Sequence, residues 1–147
     1  MNLMNIFTLT IRAFDFHQVA QKPHLLAKLR SLTLHKWSGM NQELDFLQGY
    51  LDPNLVRAKI ILAYRSGELV AWALLNKEES GNFDFVPEDG YMFQVFVSQN
   101  HRRTGIASAL FKRAKKLAKK ETICVVPWSD EATDFYDQIK EDNLRYL

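Results

Sequence analysis

The sequence predicts an α/β domain built on a mixed sheet that is covered on two sides. Three observations predict it. Two apolar runs, Ile60 to Tyr64 and Leu69 to Leu75, flank the polar turn Arg65-Ser66-Gly67-Glu68 as a hairpin does. Tyr91 to Val97 is apolar at nearly every position, with only Gln94 breaking the run, which fits a central strand buried on both faces. From there the pattern alternates strand, helix, strand, helix, implying a right-handed crossover between parallel strands. That connectivity favours α/β over α+β.

The elements follow in order. Phe7 to Phe14 alternates apolar and polar residues, placing Phe7, Leu9, Ile11 and Ala13 on one face of a first strand. Pro23 suits the first turn of a helix, and Leu25, Leu26, Leu29 and Leu32 recur at helical spacing until Ser38-Gly39. A second helix is expected after Asn41, with Leu44, Leu47 and Leu51 as its stripe and Asp52-Pro53 as its end. Past the hairpin, Lys77 to Gly90 is polar and acidic and reads as a loop with a short extended piece at Phe83 to Val86. Gly105 to Lys119 carries Ile106, Leu110, Ala114 and Leu117 in one stripe, an amphipathic helix. Thr122 to Val126 is a short buried strand, and Ser129 or Asp130 caps a last helix through Phe135, Tyr136 and Ile139.

Length and composition set the scale. At 147 residues, 47% apolar and 24% charged, the chain reads as one packed domain spanning residues 1–147. No stretch reaches the length of a membrane span and Met1 to Ile11 lacks a signal-peptide pattern, so a cytoplasmic protein without a membrane partner is expected. Cys124, the single cysteine, sits in the apolar run Ile123 to Val126 and is expected to be buried. His17, His24, His35 and His101 lack metal-ligand spacing, so no metal site is expected. The net charge is only +2, yet His101 to Lys120 is rich in Arg and Lys with no acid, while Glu121 to Leu147 is acidic. The lysines after Ala109 read as the solvated face of the helix; Arg102 and Arg103, ahead of it, do not.

The segment Val97-Ser98-Gln99-Asn100-His101-Arg102-Arg103-Thr104-Gly105-Ile106-Ala107 runs from buried strand through a tight turn to a helix start. Its physics is that of an anion site. Free amides at the helix start point outward, the helix dipole favours negative charge, and Gly105 with Ala107 let the backbone approach a pyrophosphate. Arg102 and Arg103 add charge-assisted donors.

This segment resembles the acyl-CoA signature of the GNAT family of N-acyltransferases: Arg or Gln, two residues, Gly, one residue, then Gly or Ala. Arg102, Gly105 and Ala107 occupy its fixed positions. A second resemblance lies in Ser129-Asp130-Glu131-Ala132-Thr133-Asp134-Phe135-Tyr136, where Ala132, Phe135 and Tyr136 match the family pattern and Ser129 replaces its usual Asn. The likeness covers Ala58 to Ile139; Met1 to Pro53 fits only as a strand and two helices.

The resemblance implies a mainly antiparallel central sheet flanked by helices on both faces, with a shortened C-terminus, since only Asn143 to Leu147 remain where the family continues into two further strands. An open acceptor side follows, with a partner subunit of a homodimer or the acidic 77–90 loop as candidates to close it. The resemblance further implies an N-acetyltransferase using acetyl-CoA as cosubstrate. Phe96 and Val97 would pair with the pantetheine arm, while Arg102, Arg103, Thr104, Gly105, Ile106 and Ala107 would hold the phosphates. Tyr136 would donate a proton to the leaving thiolate, and Glu88 is the candidate base. The acceptor is a primary amine on a small molecule, a protein or an aminoacyl-tRNA, tRNA being the one nucleic acid considered. The competing readings are a catalytically inactive GNAT-like binding or inhibitor protein and, ranked last, a nucleic-acid-binding module using the basic helix.

Overall fold

A computed structural model describes residues 8–35, 51–78, 88, 90–127, 130–139 and 144–146. Its strands are β1 (Leu9–Asp15), β2 (Ala58–Arg65), β3 (Glu68–Asn76), β4 (Gly90–Val97), β5 (Thr122–Val125) and β6 (Leu144–Tyr146). The helices are α1 (Phe16–Ala20), α2 (Pro23–His35), α3 (Ile106–Ala118) and α4 (Asp130–Gln138), with a 3-10 turn at Gln99–His101.

The six strands form one sheet in the order β1-β2-β3-β4-β5-β6. The first four pair antiparallel, and β4-β5 and β5-β6 pair parallel. Ser66 and Gly67, at φ +52° and +82°, make the two-residue turn joining β2 to β3; positive φ at both central positions matches the right-handed twist of the flanking strands.

Two apolar clusters cover the two faces. Phe16, Val19 and Leu29 of α1 and α2 pack with Leu51 and Leu55 onto Ile60, Leu62, Trp72, Leu74 and Phe96. On the other face Ile106, Leu110, Phe111 and Ala114 of α3, with Tyr136 of α4, pack onto Ile61, Ala73, Phe93 and Val125. This two-sided burial is why β3 and β4 read as apolar runs rather than alternating ones. The indole N–H of Trp72 is satisfied inside the core by the Thr33 hydroxyl at 2.9 Å, which in turn donates to the Leu29 carbonyl.

The predicted first strand, first long helix, hairpin, central strand and main helix all form. Helix α1 was not predicted: five residues are too few to show helical periodicity, and its structure follows from burying Phe16 and Val19. The expectation of no strand after the last helix is corrected. Leu144 to Tyr146 pair with Ile123 to Val125 as β6, in a segment too short to carry a strand pattern of its own. The expected helix after Asn41, apart from the buried Leu51, and the extended piece at Phe83 to Val86 lie outside the described residues, as does Ser129.

One irregularity positions the site. β4 and β5 pair only at Gly90↔Thr122, Tyr91↔Ile123 and Met92↔Cys124. Gly90 permits the close approach there, because a methyl group in its place would stand 2.5 Å from the Thr122 carbonyl oxygen. Beyond Met92 the strands part. β5 ends at Val125, two residues before Pro127, which has no N–H to offer a ladder. Phe93 to Val97 therefore continue without a β5 neighbour.

Candidate active site

The parting of β4 from β5 opens a cleft of ≈780 Å³ bounded by β4, the turn after it, the first turn of α3 and one side of α4. That volume falls in the usual range for small-molecule sites, roughly 300–1,000 Å³.

Its first wall is the edge of β4 beyond its pairing with β5. The Ser98 N–H bonds to the Val70 carbonyl at 2.9 Å on the β3 side. Backbone groups alternate sides along an antiparallel pair, so Val97 and Val95 direct their N–H and C=O groups toward the cleft. The Val97 carbonyl does face that way, since it accepts a hydrogen bond from Arg102 Nε at 3.0 Å.

The second wall is the turn and helix start. The 3-10 turn is closed by the His101 N–H donating to the Ser98 carbonyl at 2.9 Å, and Arg103 and Gly105 take positive φ, +59° and +83°. Gly105 caps α3 from the left-handed region, a conformation that costs other residues, and a Cβ there would meet nothing within 4 Å. The first bond of α3 runs from the Ala109 N–H to the Gly105 carbonyl. The N–H groups of Ile106, Ala107 and Ser108 thus lie outside the helical ladder, with no acidic residue in the first turn. Arg102 also lies 3.8 Å from Glu131 of α4 and 6.0 Å from the Phe96 ring.

The third wall is α4, which offers Glu131, Ala132, Asp134, Phe135 and Tyr136. Tyr136 is 3% exposed and meets Phe93 edge-on at 6.4 Å between ring centres. Burial, and secondarily the charge of Tyr146, push its phenol well above the ordinary value, so it stays protonated.

Of the residues singled out from sequence, Phe96, Val97, Arg102, Arg103, Gly105, Ile106, Ala107 and Tyr136 all line this cleft. Thr104 does not; its hydroxyl donates to the His101 carbonyl instead. Glu88 is exposed and is not in the lining. Sequence reasoning missed Val126, Glu131, Asp134 and Phe135 as wall residues; the helical spacing of Glu131, Asp134 and Phe135 was the available signal, but it does not say which face meets a gap. Among the described residues no group of His, Cys, Asp and Glu is placed to hold a metal ion. Nor is any helix among them long and apolar enough to cross a membrane.

Residues 26–139 match the model of the acetyltransferase (GNAT) family. The chain belongs to the GNAT family. No curated protein matches the sequence, but solved structures share the GNAT fold along most of its length. The ribosomal-protein-alanine N-acetyltransferase of Brucella melitensis biovar Abortus 2308 is 17% identical, with a TM-score of 0.56 over 91% of this chain and 92% of that one. An aminoglycoside acetyltransferase from an uncultured soil metagenomic sample is 19% identical, with a TM-score of 0.59 over 96% and 97%. A predicted acetyltransferase of Clostridium acetobutylicum, solved with acetyl-CoA, is 19% identical, with a TM-score of 0.53 over 92% and 90%. At these identities the likeness is one of fold.

Proposed function

We propose that this GNAT protein is an N-acetyltransferase that moves an acetyl group from acetyl-CoA to a primary amine by direct attack. The observation that carries the reading is the meeting, in one cleft, of an unpaired strand edge, an amide-rich helix start and a buried phenol. The residues fit the cosubstrate. The N–H groups of Ile106 to Ser108 and the guanidinium of Arg103 suit the pyrophosphate, and open space at Gly105 lets it approach. Val95 and Val97 offer an extended amide arm the hydrogen bonds of a missing strand.

Bound acetyl-CoA supplies an activated acyl carbon and a thiolate leaving group. Backbone N–H groups of β4 stabilise charge on the acyl oxygen. Tyr136, kept protonated by burial, gives its proton to the departing sulfur and regains one from the amine through solvent. Arg102 holds the Val97 carbonyl until a ligand competes for that edge. The acceptor amine comes to the unpaired edge of β4, and its class is open among small molecules, protein N-termini or lysines, and aminoacyl-tRNA.

The test is calorimetric titration of acetyl-CoA into the wild type and Gly105→Glu, followed by an acetylation screen over amines. Binding by the wild type, lost in the variant with the fold intact by circular dichroism, supports the reading. Absence of binding by the wild type overturns it.

A further inference from the structure

We propose that Gln94 is the side-chain donor that binds the acyl oxygen of the cosubstrate, an inference that rests on the acyltransferase reading above. Gln94 is 4% exposed, lines the cleft, and has a buried Nε2 with no hydrogen-bond partner. An unpaired buried amide is costly, and strands as apolar as β4 seldom carry one without use. Two other buried polar side chains, Thr33 and Asn76, are by contrast hydrogen-bonded. Thr33 donates to Leu29 and accepts from Trp72, and Asn76 exchanges two hydrogen bonds with the Glu78 backbone.

The position of Gln94 selects its partner. It lies two residues beyond Met92, the last β4 residue paired with β5, and so just above the vertex at which the strands part. The anion-binding turn lies at the opposite end, past Val97. A ligand anchored there by its phosphates and running down the β4 edge covers about 10 Å from Val97 to Gln94, at 3.3 Å per residue, and brings its far, acylated end to the amide. Gln94 shares a strand face with Met92 and Phe96, away from the α3 cluster that contains Phe93 and Val97. Its terminal torsion is soft and roughly two-fold, so the amide, already in the cleft lining, can orient its N–H toward a ligand oxygen at little cost.

The chemistry suits an N–H donor. As the amine nitrogen bonds to the acyl carbon, the carbonyl π pair moves onto oxygen, where the Gln94 N–H stabilises it. The pair returns as the C–S bond breaks, and the proton lost by the nitrogen balances the one taken up by sulfur.

The experiment compares wild type, Gln94→Met and Gln94→Glu for binding of CoA and of isotope-labelled acetyl-CoA, reading the carbonyl stretch of the bound thioester by infrared spectroscopy. In the wild type the stretch moves to lower frequency and acetyl-CoA binds about tenfold better relative to CoA than it does in either variant, the size of one hydrogen bond. CoA itself binds all three alike, and Gln94→Met melts at or above the wild-type temperature because an unpaired amide has been removed. Equal carbonyl frequencies in wild type and variants would overturn the proposal, as would a lowered melting temperature in Gln94→Met, which marks a structural amide. Failure of the wild type to bind CoA at all defeats the acyltransferase reading instead, whatever Gln94 does.

Discussion

The Arg102 guanidinium donates to the Val97 carbonyl at 3.0 Å and so ties the turn before α3 to the unpaired end of β4. The same side chain reaches Glu131 at 3.8 Å, a pair in which the acid is 57% exposed. Exposed pairs of this kind contribute about 0–1 kcal/mol, so the link is weak enough for a ligand phosphate to displace. Arg102→Gln is expected to weaken CoA binding by about tenfold and to flatten its salt dependence. Glu131→Gln removes a competing anion and is expected to tighten CoA binding by about two- to fivefold with little change in stability. Calorimetry at two salt concentrations measures both.

Gly105 adopts φ +83°, so any side chain there costs about 1–2 kcal/mol before chemistry is considered. Gly105→Asn tolerates that region best and keeps CoA binding, because a Cβ meets nothing. Gly105→Glu carries somewhat more backbone strain and adds a negative charge beside the helix start, so its binding is lost. Equal loss in both variants would show that backbone strain, not charge, is responsible.

Tyr136→Phe keeps the packing against Phe93 and removes only the hydroxyl. As the acid of the reaction, Tyr136 is expected to contribute about 10²-fold to kcat with little effect on acetyl-CoA affinity. Steady-state kinetics together with calorimetry separates the two, and an unchanged kcat assigns Tyr136 to packing alone.

Burial raises the Tyr136 phenol above its unfolded value of 10.0. The folded state therefore holds that proton more tightly than the unfolded state, and the associated stability is complete below pH 10 and falls as pH rises beyond it. Denaturant unfolding across the alkaline range should show this decline in the wild type and a flatter curve in Tyr136→Phe.

Gly90→Ala places a methyl group 2.5 Å from the Thr122 carbonyl oxygen, at the junction that closes the cleft. Rigid backbone stands on the other side, so β4 and β5 must separate. A loss of about 1–3 kcal/mol is expected, measured by chemical denaturation.

Much of the fold was legible in the chain because its signals are local. The 58–76 hairpin, the doubly apolar strand at Tyr91 to Val97 and the α3 stripe each declare themselves over a few residues, through turn chemistry and periodicity. The turn into α3 was legible as well, since strand, Arg102, Gly105 and Ala107 fall within one short segment. Short elements were not. Helix α1 and strand β6 hold their conformation through what they pack against or pair with, which no local pattern records.

By itself, the sequence determined an α/β domain, a glycine turn leading into the main helix and a tyrosine on the last helix. Only the tertiary structure decided that these share a cleft. The parting of β4 from β5 beyond Met92 sets which backbone groups of β4 lack a β5 partner, puts Tyr136 and Val97 in the lining of one cleft and leaves Glu88 outside. It also turns Gln94, in sequence a break in an apolar run, into a buried amide at the vertex of the cleft. Strand pairing joins residues far apart in the chain, and the place where a pairing ends depends on the geometry of both partners. That is why the site, unlike its motifs, belongs to the fold.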